Sequence, residues 1–120
     1  MSVNNIKPPK NLYLFLGYVQ KNDKRNAEGI LKDNPSIANE KMYDGLQPIF
    51  FCIRNKFNKM FGLLLERMYF DDELVKNVYS SIKKQGTPKM LKKFLEHFNI
   101  PPDDPCLDEI DKKMLSQLDK

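Results

Sequence analysis

His97, Cys52 and Cys106 are the side chains in this chain best suited to chemistry, and their spacing gives them little to act with. His97 is the only histidine. As a general base it would need a nucleophile or carboxylate oriented by a third group, and the sequence around it assembles no such constellation. A zinc site would need a C-x-x-C pair or a second histidine, and the two cysteines stand apart. The acidic pairs Asp71-Asp72 and Asp103-Asp104 are adjacent in sequence. They do not face one another across a cleft as paired catalytic carboxylates would, and helix-cap or loop roles account for them. The strings G-x-G-x-x-G, G-x-x-x-x-G-K-[ST] and G-x-S-x-G are missing, and five glycines leave few phosphate-cradling turns. The expectation is a chain that is not an enzyme and needs no metal or cofactor.

Charge offers a different chemistry. The net charge is +4, but residues 103–120 carry six acids against three lysines, so the first 102 residues are distinctly basic. The densest basic patch is Lys83, Lys84, Lys89, Lys92 and Lys93. A solvated helix surface explains it most simply, and a surface for an acidic partner is the sharper reading. Nucleic acid is the weaker alternative, because no aromatic-basic interleaving accompanies the lysines.

With 120 residues, 41% apolar and 30% charged, the chain reads as one soluble globular domain. No apolar run approaches the roughly 20 residues of a membrane span. Residues 1–10 form an arm with Lys7, Pro8, Pro9 and Lys10 and no apolar segment of the signal-peptide kind. Two unpaired cysteines read as reduced thiols, with Cys52 in the core, which suggests a cytoplasmic or nuclear setting.

The elements that must position these groups read as helices. Leu12, Phe15, Leu16 and Val19 recur at steps of three and four, the face of one helix. Asn22-Asp23 interrupts it, Ala27, Ile30 and Leu31 form a second stripe, and Asn34-Pro35 ends that helix. Residues 44–66, DGLQPIFFCIRNKFNKMFGLLLE, then give a tight turn, a helix opened by Pro48, a short connection and a returning helix. Val75, Val78, Tyr79 and Ile82 predict a further helix, broken at Gly86. Thr87 caps the next, with Pro88 in its first turn and Met90, Leu91, Phe94, Leu95 and Phe98 on its apolar side. Past Pro101-Pro102, with Asp103 or Asp104 as cap, a last helix is predicted. It places Leu107, Ile110, Met114, Leu115 and Leu118 on one side, and Asp108, Glu109, Asp111, Lys112 and Lys113 on the other.

Residues 44–66 resemble the ankyrin repeat, whose core runs D-G-x-T-P-L-H-x-A-A and ends on an apolar Leu-rich stretch. Pro48, Ile49, Phe51, Cys52, Ile53, Met60, Phe61, Leu63, Leu64 and Leu65 follow that frame without a gap. Residues 11–43 are the next best match, through the loop string N-P-S-x-x-N, and 72–102 a degenerate third unit or a generic helical hairpin. Phe50 replaces the family's histidine. Between the two helices, where the family has a left-handed glycine, this sequence has Asn22, Lys56 and Gly86. Lysine adopts positive φ at a cost of roughly 1 kcal/mol.

The resemblance implies an all-α, ankyrin-like stack of about three helix pairs (11–43, 44–71 and 72–102) with a C-terminal capping helix in 103–120. It implies non-catalytic protein binding through the concave face. Carried over position by position, that face offers Gln20, Lys21, Tyr43, Asp44, Leu46, Arg54, Asn55, Lys84 and Gln85, with Phe57 as a spare aromatic anchor beside Tyr43. The expected partner is a protein with a neutral-to-acidic contact surface. A regulatory or inhibitory subunit that masks a partner's surface, weak nucleic-acid binding through Lys83–Lys93, and homo-oligomerisation through an open apolar end remain alternatives.

Overall fold

The computed structural model describes residues 10–42 and 45–119. The N-terminal arm to residue 9, and the candidate residues Tyr43 and Asp44, lie outside them. The fold is all-α, with no strand among the described residues. Seven α-helices follow one another among the described residues: α1 (Lys10–Gln20), α2 (Lys24–Asp33), α3 (Pro48–Asn55), α4 (Asn58–Arg67), α5 (Asp72–Gln85), α6 (Pro88–His97) and α7 (Glu109–Ser116). Short 3-10 segments cover Pro35–Asn39 and Gln117–Asp119.

Local chemistry sets most boundaries. Asp23 accepts from the Asn26 N–H to start α2, and Asn34 ends it ahead of Pro35, which cannot continue a helix. Pro48 opens α3. Asp71 accepts from the Leu74 N–H at the start of α5, and Thr87 from the Met90 N–H, ahead of Pro88, at the start of α6. Each cap satisfies a backbone donor that the helix itself cannot.

The helices pack as pairs, α1 with α2, α3 with α4 and α5 with α6. The first members touch in the order α1, α3, α5, and the second members in the order α2, α4, α6; α7 lies on α6. One continuous core runs through them. Phe15, Val19, Ile49, Ile53, Met60, Phe61, Ile82, Met90 and Phe94 are all essentially fully buried in it. Each predicted stripe supplies core residues, because a pair of amphipathic helices hides its apolar side only against its neighbours. Cys52 is buried there too, and burial pushes its thiol up to about 12, which leaves it protonated and unreactive.

Polar bonds tie neighbouring pairs together. Arg67 of α4 meets Glu28 of α2 at 3.2 Å. Lys56 Nζ donates to the Gln85 carbonyl at 2.7 Å, and Lys93 Nζ to the Asn58 carbonyl at 3.4 Å.

Three expectations are corrected. Asn22 and Lys56 have φ of 58° and 60°, but Gly86 has φ of −85°. Gly86 is needed for space instead, since a Cβ there would lie 2.8 Å from Ile82 Cα. Neither Asp103 nor Asp104 caps the last helix. Pro105 steers Asp104 away from helical geometry, and Asp104 accepts from the Cys106 N–H at 2.8 Å. The cap is Asp108, which exchanges side chain-to-backbone bonds with Asp111. The faces of α7 also differ from expectation. Ile110 is 54% exposed, whereas Asp111 is completely buried.

Lys56 carries a cost that glycine would remove. Lys56→Gly relieves the left-handed strain while losing the bond to Gln85, for a net gain of up to about 1 kcal/mol. Thermal denaturation followed by circular dichroism checks this. An unchanged Tm would show that the Gln85 bond offsets the strain, and a lowered one that it outweighs it.

Candidate functional site

Eight of the ten candidate residues lie within the described chain; seven are exposed near helix ends, and Phe57 is half-buried. Gln20, Lys21, Arg54, Asn55, Lys84 and Gln85 are exposed and lie at the C-terminal ends of α1, α3 and α5. α3 packs against both α1 and α5. The Lys56–Gln85 bond fixes the ends of α3 and α5 against each other. Arg54 sets its guanidinium 5.9 Å from the centre of the Phe51 ring, and Asn55 Nδ2 donates to the Phe51 carbonyl at 2.8 Å. Both side chains are thus steered by the helix that carries them.

Leu46 lies apart from these residues. It precedes α3, and a helix of eight residues separates it from Asn55 by about 12 Å at 1.5 Å per residue. Its carbonyl accepts from the Met42 N–H at 2.8 Å, and the Gly45 N–H donates to the Met42 carbonyl, closing a tight turn in which Gly45 has φ of 82°. The expected single row is therefore broken, because Leu46 lies at the opposite end of α3 from Arg54 and Asn55.

Phe57 is not a spare anchor. It is half-buried against the core and meets Phe51 edge-to-face at 5.9 Å. The position between the helices turns the chain inward, so the ring joins the pair it was expected to leave.

The basic patch is also redistributed. Lys83 is mostly buried and reaches Asp108, with Asp111 at 3.9 Å, while Lys93 spans to Asn58. Lys84, Lys89 and Lys92 remain exposed. Two of the five cations are thus drawn into contacts within the protein, which weakens the patch as a phosphate-binding surface.

That contact set is the feature sequence reasoning missed. Asp111 of α7 accepts from the Tyr79 hydroxyl and from the Asp108 N–H, with Lys83 of α5 alongside. Burial, followed by the hydrogen bond to Asp111 and the negative charge there, raises the Tyr79 phenol well above its ordinary value. The Lys83 ammonium and the Asp111 N–H hold the Asp108 carboxyl down at about 2. The D-x-x-D spacing of Asp108 and Asp111 is a capping signature and was readable; the partnership with Tyr79 and Lys83 was not.

His97 is exposed on a shallow depression of about 380 Å³ between α2, α4 and α6, with Lys24, Lys59, Glu66, Lys93 and Glu96. Its ring packs on Phe98 at 4.9 Å. No serine or cysteine lines the depression, and no group of three His, Cys, Asp or Glu able to hold a metal occurs among the described residues. No helix among them is long and apolar enough to cross a membrane.

A second cleft, of about 510 Å³, opens beside Leu46 and is lined by Asn39, Phe50, Tyr69 and residues at the start of α5. Tyr69, in the link between α4 and α5, is 76% exposed and is the most open large hydrophobic side chain described. Comparison with protein-family models, with curated proteins and with solved structures finds no match to this chain.

Proposed function

We propose that the chain is a non-catalytic protein-binding module of the ankyrin-like kind, working in the cytoplasm or nucleus. The observation that carries this reading is that Lys21, Arg54 and Lys84 are exposed at the ends of α1, α3 and α5, helices that pack in that order. Such an arrangement suits recognition of an extended surface, because each pair adds side chains at a similar place along the array. Three cations at those ends suit a partner whose contacting surface is neutral to acidic, with the charge acting mainly on association rate.

The test is affinity purification from the native cells with the wild type beside a Lys21→Glu/Arg54→Glu/Lys84→Glu variant. The variant is expected to lose about tenfold or more of the captured partner, and the remaining binding to lose most of its salt dependence. Equal capture by both proteins, with equal sensitivity to salt, would remove these three residues from the binding surface.

A further inference from the structure

The cleft beside Leu46 differs from the cationic helix ends in both shape and charge. Tyr69, Leu46 and the half-buried Phe50 all line it. Tyr69 is 76% exposed and Leu46 46% exposed. The Tyr69 backbone is nevertheless held. Its N–H donates to Asn39 Oδ1 at 2.8 Å, and its carbonyl accepts from Asn39 Nδ2 at 2.7 Å. One side-chain amide thus satisfies both polar groups of that peptide segment and presents the ring outward at a fixed place. An aromatic side chain on a fixed backbone loses little further freedom on binding, which is what an anchoring position requires.

The rim is acidic although the chain is basic. Asp71 and Glu73 are exposed along it, against Lys41 as the single cation among the described lining residues. Asp71 spends one oxygen on capping α5, and its charge remains at the rim. A volume of about 510 Å³ also falls in the range of roughly 300–1,000 Å³ over which clefts take up side chains or small ligands.

We infer that this cleft binds an extended peptide segment of a partner protein in which an apolar or aromatic side chain is flanked by lysine or arginine. The apolar side chain packs on the cleft's exposed Tyr69 and Leu46 and on Phe50, and the flanking cation meets Asp71 and Glu73. The inference rests on the protein-binding reading, but it uses a different surface and the opposite charge.

The test is selection of a phage-displayed random 12-residue peptide library on the full chain, followed by titration of synthetic copies of the enriched peptides. Enriched sequences are expected to place Lys or Arg within two residues of Leu, Ile, Phe, Tyr or Trp. Their affinity is expected to fall about tenfold or more with Tyr69→Ala and with Glu73→Lys, both exposed positions, and to stay unchanged with Lys113→Glu, an exposed position on α7 outside both surfaces. Circular dichroism confirms that each variant is folded. No enrichment of peptides pairing Lys or Arg with an apolar residue, or binding of such peptides that survives Tyr69→Ala, would overturn the inference. Those outcomes leave the cationic helix ends untouched, whereas failure of the Lys21/Arg54/Lys84 experiment leaves the peptide result standing.

Discussion

Asp111→Ala is expected to destabilise the protein by about 2–3 kcal/mol and to release α7, because it breaks a buried charged contact from one side only. The carboxylate is completely buried and accepts from the Tyr79 hydroxyl and the Asp108 N–H. Its removal leaves the phenol unpaired and Lys83, already mostly buried, with Asp108 alone. Breaking a fully buried pair costs roughly 3–5 kcal/mol. Two features lower the figure here. Lys83 keeps some exposure, and Asp111 Oδ1 makes no hydrogen bond among the described residues, so part of the wild-type carboxylate is already poorly satisfied. Asp111→Asn keeps an acceptor for Tyr79 and should cost less. Chemical denaturation gives the energy, and amide hydrogen exchange over residues 109–116 reports whether α7 has come off. A change within about 0.5 kcal/mol, with exchange unaltered, would make the cluster incidental to docking.

The same contact gives a pH dependence with a definite sign. The Asp108 carboxyl is lowered from an ordinary 3.8 to about 2 by Lys83 and the Asp111 N–H. A group depressed in the folded state contributes stability above its unfolded value and loses it as pH falls through the folded value. Exchange protection of α7 should therefore be complete above about pH 4 and decline toward pH 2, with a shallower decline in Asp108→Asn.

What was legible in the sequence follows the range of the forces involved. The stripe Leu12, Phe15, Leu16 and Val19 is buried as predicted, because helical periodicity is a local signal. Thr87 with Pro88, and Asn34 with Pro35, mark real helix ends because caps and proline act within a few residues. The chain reversal at Asn22 and Lys56 was likewise readable from local position. Asp111 was assigned to water because periodicity treats every carboxylate as polar surface; its partner Tyr79 lies 32 residues away. The clamp of Asn39 on Tyr69 spans 30 residues. The candidate site shows the same division. Position along each unit identified exposed residues at the ends of α1, α3 and α5, but not that Leu46 lies at the opposite end of α3.

Phe61→Ala is expected to cost about 3–5 kcal/mol, the largest effect of any single change considered, against a total stability of about 5–15 kcal/mol for a domain of ordinary size. Phe61 is fully buried on α4, the helix that touches α2 on one side and α6 on the other. A cavity there weakens the middle pair, α3 with α4, and also its contacts with both outer pairs. Because α4 packs against α2, α3 and α6, damage there reaches helices on both sides of it. Phe15 on α1 is also fully buried, but its helix belongs to an outer pair. Urea denaturation should therefore show Phe61→Ala unfolding early as one transition, while Phe15→Ala lets the first pair come apart ahead of the rest. Hydrogen exchange separates the two cases, since Phe15→Ala should lower protection in α1 and α2 before α5 and α6, and Phe61→Ala should lower it everywhere. Uniform loss with both variants would mean that the three pairs form a single indivisible core. The protein would then gain its exposed edges from a closed globule rather than from successive units, and the spacing of Lys21, Arg54 and Lys84 would no longer follow from a repeated plan.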